Sequence, residues 1–302
     1  MLMTTDMLTR QGLESNGIRR LVDRGELVRV RRGVYADSPL PDDRVAAHLM
    51  RARALGLTLA PDKVFSHQTA GAIHGLPVWR PVLTRIAVTR PGRSGGQLRP
   101  DLAIKVAPLA EDEVVNVDGW RVTSIERTAA DLGRMLPLDW GLPGLDAALR
   151  AGVTREAMAE QVTRARRRPG VRALAAALDL ADARSESPGE SLARLVFWRL
   201  GIPAPVLQRD IVHSVTEAFL GRTDFCWPDL GIFAEFDGRV KYTRGVEEGD
   251  LAEVVMREKR RELAICADDW SCFRLTWAEL FDPQLVMAMW QVALKQRGGR
   301  GR

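Results

Sequence analysis

One hairpin constrains this chain more tightly than any other stretch, Arg222 to Tyr242. Pro228, Asp229, Leu230 and Gly231 close a turn between two strand-like runs. A four-residue loop sets Trp227 opposite Ile232, and counting three places outward on each side sets Asp224 opposite Glu235. Directly opposed residues share a sheet face, with Cβ atoms ~5 Å apart. Strand alternation adds Asp237 to the face of Glu235 and turns Ala234 and Phe236 the other way.

Three carboxylates, Asp224, Glu235 and Asp237, are therefore expected to converge. Like charges so gathered raise one another's pKa unless a cation neutralises them. A hard divalent ion such as Mg²⁺ or Mn²⁺, which prefers oxygen ligands, is the cofactor this arrangement implies. It would polarise a phosphodiester and activate a water for in-line attack, with Lys241 stabilising the charge on phosphorus. The same residues also fit the solvent-facing side of an edge hairpin, with Asp237-Gly238 as turn chemistry.

Two helices border this stretch. In Ser187-Pro-Gly-Glu190 the glutamate completes a capping box with proline at the first helical position, and it is also a candidate for a catalytic role at the metal or its water. Glu258 shares a helical face with Leu251, Val254 and Val255, so it needs a partner: a metal, a lysine or an arginine.

The N-terminal 40 residues carry a different signal. A short helix over Thr5–Thr9 precedes a second over Glu14–Arg24, whose Ile18, Leu21 and Val22 recur at i, i+3 and i+4. Arg19, Arg20 and Arg24 take the other faces, and Gly25 supplies the stop. In Leu27–Tyr35, Val28 and Val30 alternate with Arg29 and Arg31, and Arg32-Gly33 makes the turn. Helix, basic helix, basic hairpin is the order of a winged helix-turn-helix, in which the second helix enters the major groove. Arg19, Arg20, Arg24, Arg29, Arg31 and Arg32 are then the DNA-binding candidates, against the plainer reading of a solvated charged face.

Between these ends, Ser66–Leu76 reads as a capped helix, Thr84–Thr89 and Leu102–Ala107 as strands, and Thr123–Leu136 and Pro143–Ala151 as helices. His67 and His74 read as packed or capping residues, and the cluster Arg164, Arg166, Arg167 and Arg168 suits a helix C-terminus. The expected architecture is an α+β or α/β multidomain protein. It has a winged helix-turn-helix over 1–40, a mixed α/β middle region over 41–181 and a further αβ domain over 186–297.

A formal net charge of +5 tilts the chain toward an anionic partner, nucleic acid before membrane. Cys226, Cys266 and Cys272 are an odd, scattered set with no Cys-x-x-Cys pair, which argues against a disulfide framework or structural zinc and fits a reducing cytosol. No stretch approaches ~18 apolar residues, so a cytoplasmic chain without a membrane span is expected.

Thr223-Asp-Phe-Cys-Trp, Ala234-Glu-Phe-Asp-Gly, the Glu258-Lys-Arg-Arg-Glu helix and Phe273-Arg-Leu-Thr-Trp277 resemble the PD-(D/E)XK nuclease superfamily, in its very-short-patch-repair-like branch. The resemblance covers roughly Ser187 to Phe281. It implies a restriction-endonuclease-like fold, with Asp224 and Glu235 as metal ligands and Glu190 as the helical glutamate. One departure stands out: the family places lysine two residues after the second acid, where this chain has Asp237, and Lys241 follows only later. Leu8-Thr-Arg-Gln-Gly through Arg32-Gly-Val-Tyr35, with Ser66-His-Gln-Thr-Ala-Gly-Ala-Ile-His-Gly-Leu-Pro77, is similar to AbiEi-type antitoxins of type IV toxin–antitoxin systems. That resemblance implies a repressor of its own promoter with a toxin partner.

Two functions follow as expectations. One is a divalent-metal-dependent DNA endonuclease in defence or repair. The other is an antitoxin-like transcriptional regulator whose nuclease-like domain is catalytically inactive. A homodimer fits either, because winged-helix proteins dimerise on two-fold sites.

Overall fold

The computed structural model describes residues 1–92, 94–238 and 248–300, with only the backbone described over 248–255 and 298–300. The chain divides into two compact units, one of residues 1–148 and 152–178, the other of 149–151 and 179–302. Each combines helices with sheet, so the chain is a mixed α/β multidomain protein. No helix among the described residues is long and apolar enough to cross a membrane.

The first unit begins with β1 (Leu2–Thr4), α1 (Thr5–Arg10), α2 (Ser15–Asp23), β2 (Val28–Arg31) and β3 (Val34–Ala36). The strands form an antiparallel sheet in the order β1-β3-β2. Gly33, with φ +77, makes the β2–β3 turn, and its carbonyl accepts from the N–H of Thr5 at 3.0 Å, tying the turn to the start of α1. Met3, Leu8, Ile18 and Leu27 are the core of this part.

The alternation expected across β2 is broken. A bulge between Arg29 and Arg31 sets Arg29 opposite Tyr35 and Arg31 opposite Val34. Tyr35 and Val34 are consecutive and face opposite ways, so the two arginines do as well. Arg29 is exposed and Arg31 is half-buried.

The unit continues with α3 (Arg44–Gly56), β4 (Val64–Phe65), α4 (His67–Ile73), β5 (Ile86–Arg90), β6 (Gln97–Leu98), β7 (Leu102–Val106), β8 (Val114–Val117), β9 (Trp120–Thr123), α5 (Ile125–Met135), α6 (Leu138–Arg150), α7 (Arg155–Arg164) and α8 (Val171–Leu180). The six strands order as β6-β7-β5-β4-β9-β8, parallel at β5–β7 and β4–β9. Ala52, Leu55, Phe65, Ile86, Val88 and Val122 are among the residues of its core.

The second unit holds α9 (Pro188–Arg199), β10 (Val206–Val212), β11 (Phe219–Trp227), β12 (Ile232–Phe236), α10 (Glu248–Ala267), β13 (Ser271–Leu275), α11 (Trp277–Leu280) and α12 (Pro283–Arg300). Its sheet runs β10-β11-β12-β13, with β13 parallel to β12. Trp227 pairs with Ile232 and Phe225 with Ala234, the counted register, and Gly231 turns the corner at φ +59. Aromatic edges fill one face: Phe197 meets Phe225 at 5.2 Å and Trp227 meets Trp290 at 4.7 Å between centroids.

Gly189 lets α9 approach that sheet. A Cβ there would lie 1.9 Å from a ring carbon of Phe236, far inside van der Waals separation. Gly189→Ala is therefore expected to destabilise the second unit by about 2–3 kcal/mol through overpacking. Gly201→Ala, whose Cβ meets nothing within 4 Å, adds only the strain of φ +68. Urea unfolding of both variants measures the difference, and equal losses would show that the Phe236 approach is not tight.

Candidate nucleic-acid interface and acidic cluster

In α2 the apolar face packs inward through buried Ile18 and half-buried Leu21 and Val22, leaving Arg19, Arg20 and Arg24 exposed. Arg19 lies 4.0 Å from Asp23, with the two side chains 82% and 68% exposed, and Arg24 lies 3.5 Å from Glu26. Exposed pairs of this kind contribute roughly 0–1 kcal/mol and give way readily to another anion. Arg20 donates through Nε to its own helix, at the carbonyl of Asn16 (3.3 Å). Arg29 and Arg32 on the hairpin are also exposed. Arg20, Arg29 and Arg32 make no ion pair among the described residues. Arg31 differs, because its Nε is buried without an acceptor among them.

In the second unit, Glu190 and Asp224 come together through Gln208. The Gln208 amide donates to Glu190 Oε2 at 3.0 Å and to Asp224 Oδ1 at 3.3 Å. Glu190 is buried at the first turn of α9. Its Oε2 accepts from the N–H of Glu186 at 2.8 Å, its Oε1 from the Ser187 hydroxyl at 2.7 Å, and Ser187 Oγ accepts in turn from the Glu190 N–H. Ser187 thus caps α9 as read from Ser-Pro-Gly-Glu, but the Glu190 carboxylate bonds the N–H of Glu186 and the Ser187 hydroxyl rather than the N–H of Ser187. Asp224 Oδ2 accepts from the N–H of Phe236 at 2.9 Å.

Glu235 is only 7% exposed and is held by two guanidinium groups. Arg261 reaches its Oε1 at 2.5 Å and Arg274 its Oε2 at 3.0 Å. Arg261 also meets Glu258 at 3.2 Å, so the partner that Glu258 requires is an arginine. Asp237, past the end of β12, donates its backbone N–H to Leu275 O at 2.7 Å, and Lys241 lies outside the described residues.

Crowded carboxylates led to the expectation of Mg²⁺ or Mn²⁺ on Asp224, Glu235 and Asp237. Among the described residues, no three His, Cys, Asp or Glu side chains stand where they could share a metal ion. The donors fit an ion poorly: both oxygens of Glu235 face guanidinium groups, and both oxygens of Glu190 already accept hydrogen bonds. The compensating positive charge at Glu235 comes from Arg261 and Arg274. Arg274 arrives on β13, a strand distant in sequence, and the hairpin spacing that sets Asp224 opposite Glu235 contains no signal for it. Gln208 has no sequence signal either. It sits inside β10 with φ +50, a conformation uncommon for a residue with a Cβ.

The sequence model of a family described as transcriptional regulator, AbiEi antitoxin, matches residues 3–36, the stretch from β1 to β3. Two uncharacterized proteins of Mycobacterium tuberculosis are each 33% identical to this chain over 255 residues: Rv2248 of strain ATCC 25618 / H37Rv and MT2308 of strain CDC 1551 / Oshkosh. Those matches cover 84% of this chain and 85% of each relative. The crystal structure of the RV2827C protein from Mycobacterium tuberculosis aligns at a TM-score of 0.42 and 14% identity, over 70% of this chain and 83% of that one.

The charge balance at the acidic cluster has a testable sign. Burial first, and then the charge of Asp224, push Glu190 above the ordinary carboxylate value of 4.5. A carboxyl raised in this way stabilises the fold fully below its ordinary value and loses that contribution as pH rises through its folded value. Glu190→Gln is therefore expected to melt higher than the parent near pH 7.5, with the gap closing as pH falls toward about 4.5. Melting curves across that range check it. A variant that melts lower at every pH would show that the charged form is what the donors from Glu186, Ser187 and Gln208 require.

Proposed function

The chain belongs to the family that contains the mycobacterial proteins Rv2248 and MT2308, and from that premise we propose that it is a DNA-binding transcriptional regulator of the antitoxin type. One observation carries the reading. The stretch similar to AbiEi antitoxin regulators, residues 3–36, coincides with the β1-α1-α2-β2-β3 segment, whose α2 and hairpin expose Arg19, Arg20, Arg24, Arg29 and Arg32.

In this proposal the segment acts as a winged helix-turn-helix. α2 enters the major groove, and the β2–β3 hairpin follows the phosphate backbone. The inward stripe of Ile18, Leu21 and Val22 fixes the rotation of α2, so Arg19 and Arg20 stand on its outward side. Loosely paired guanidinium groups exchange Asp23 and Glu26 for phosphates and release condensed counterions, which supplies affinity. A homodimer on a two-fold site, a toxin partner and a cytoplasmic location belong to the same proposal. The endonuclease expected from the acidic strands has less behind it, because Glu235 is neutralised by Arg261 and Arg274 and Asp237 occupies the lysine position.

Fluorescence anisotropy on a labelled duplex from upstream of the protein's own gene, with a shuffled duplex beside it, tests the reading. Arg20 and Arg29 are the informative pair, both exposed. Arg20→Ala with Arg29→Ala is expected to flatten the plot of log affinity against log salt by about two units, one for each phosphate that is no longer neutralised. Absence of binding at low salt, or an unchanged slope in the double variant, overturns it.

A further inference from the structure

Cys266 closes α10 and Cys272 lies on β13, joined by a turn in which Asp269 adopts φ +69. The turn brings their sulfurs to 3.7 Å. Both are half-buried beside Ile211, Phe233 and Ile265, whereas Cys226 is fully buried. A polar relay continues from the pair. The Cys266 thiol donates to Cys272, the Cys272 thiol donates to Glu262 Oε1 at 3.5 Å, and Glu262 Oε2 accepts from Arg274 Nε at 2.8 Å. Two cysteines packed only as small apolar side chains need no carboxylate at the end of the chain.

We propose that Cys266 and Cys272 are a redox-active thiol pair that peroxide closes to an intramolecular disulfide, with Glu262 accepting the Cys272 proton. This assignment does not depend on the DNA-binding reading. In the first step the Cys266 sulfur attacks one peroxide oxygen, the O–O bond breaks, and the displaced hydroxide takes the thiol proton and leaves as water. In the second, the Cys272 sulfur attacks the sulfenic sulfur of Cys266 while its proton passes to Glu262. The S–O bond breaks, and the hydroxide released takes that proton from Glu262. Two thiols and one hydrogen peroxide become one disulfide and two waters.

The carboxylate has a reason to be present. The hydrogen bond with Cys266, burial and the charge of Glu262 hold the Cys272 thiol well above its ordinary value, so it reacts only when a base removes its proton as it attacks. Closure moves the sulfurs from 3.7 Å to bonding distance, about 2.05 Å. It also removes the thiol donor from Glu262 and so alters the ion pairs through which Arg274 joins Glu262 to Glu235.

Tryptic mapping provides the test. Cleavage after Arg261 and Arg274 yields a peptide, residues 262–274, that contains both cysteines, while Cys226 falls on another. After brief exposure of the full-length protein to hydrogen peroxide, that peptide is expected to lose two hydrogens and resist alkylation until dithiothreitol is added, with Cys226 unchanged. Closure is expected to run roughly tenfold faster in the folded protein than in guanidinium, and several-fold slower in Glu262→Gln. Cys272→Ser is expected to stop at sulfenic acid, trapped by dimedone. A peptide that stays fully alkylatable, or that closes no faster folded than unfolded, overturns the assignment. Loss of both effects in Glu262→Gln through unfolding is distinguished by its far-UV circular dichroism, and a folded Glu262→Gln that closes at the parent rate removes Glu262 from the step.

Discussion

The guanidinium of Arg127 is the interaction around which the first unit is arranged. It is 1% exposed, and burying such an ion costs on the order of several kcal/mol unless its donors are met. Its Nε reaches Asp131 at 2.9 Å within α5, and its Nη1 reaches Glu113 at 3.0 Å just before β8 and Pro108 O at 3.3 Å. Asp131 in turn binds Arg134 at 2.5 Å and lies 3.7 Å from His67, the first residue of α4. Burial alone would raise the Asp131 carboxyl, yet His67, Arg127 and Arg134 together hold it at about 2. Burial holds His67 at about 4 against the pull of Asp131. Helix α5 and the approach to β8 therefore depend on one set of buried charges, and removing Arg127 would leave Glu113 and Asp131 each short of a buried partner.

That set also explains a strained residue. His67 adopts φ +51, which a residue with a Cβ rarely does, and its Nδ1 meets Ser66 Oγ at 3.0 Å. The geometry persists because the neighbours over-determine it: Ser66 accepts from Thr89 at 2.8 Å, and Asp131 is fixed by two arginines. Reading His67 as a packed residue agrees with where it lies. Arg127 and Asp131 stand at i and i+4 on one helix, a pairing that spacing does show, but Glu113 lies outside that helix and a charged residue on a helix is by default a surface residue.

What was legible follows the range of the interactions. Local chemistry reads well: the Ser187 cap of α9, the apolar stripe of α2, and the Trp227–Ile232 register all depend on residues within a turn or a hairpin of one another. Single departures from regular pattern read badly. The bulge in β2 and the φ of Gln208 each move one residue out of an otherwise regular strand, and no spacing announces them. The three-residue β1 is too short for periodicity to detect, although it supplies the strand beside β3. Hairpin β8–β9 is different. Asp118-Gly119, with φ +50 and +82, is a strong turn signal in the sequence itself, yet the expected elements do not include that hairpin. At the acidic strands, alternation covered Asp224 and Glu235, whereas Asp237 lies past the end of β12. Alternation could not supply Arg274, because a parallel neighbour such as β13 joins β12 only through tertiary structure.

The same residue type is thereby put to two uses that only burial distinguishes. Arg127 is buried and Arg261 and Arg274 are half-buried, and each is matched to a buried carboxylate, Glu113 or Glu235. Arg19 and Arg24 have partners too, but 82% and 65% exposed side chains make those pairs weak and screened by salt. A phosphate backbone presents a higher density of negative charge than Asp23 or Glu26, and it competes for these arginines without any cost of opening the fold. It competes poorly for Arg261 and Arg274, because taking either would leave the buried carboxylate of Glu235 with only one of its two guanidinium partners. The net positive charge of the chain is thus a poor guide by itself to where an anion docks. Arg19 on α2 and Arg24 just past its end hold their partners weakly enough to exchange them.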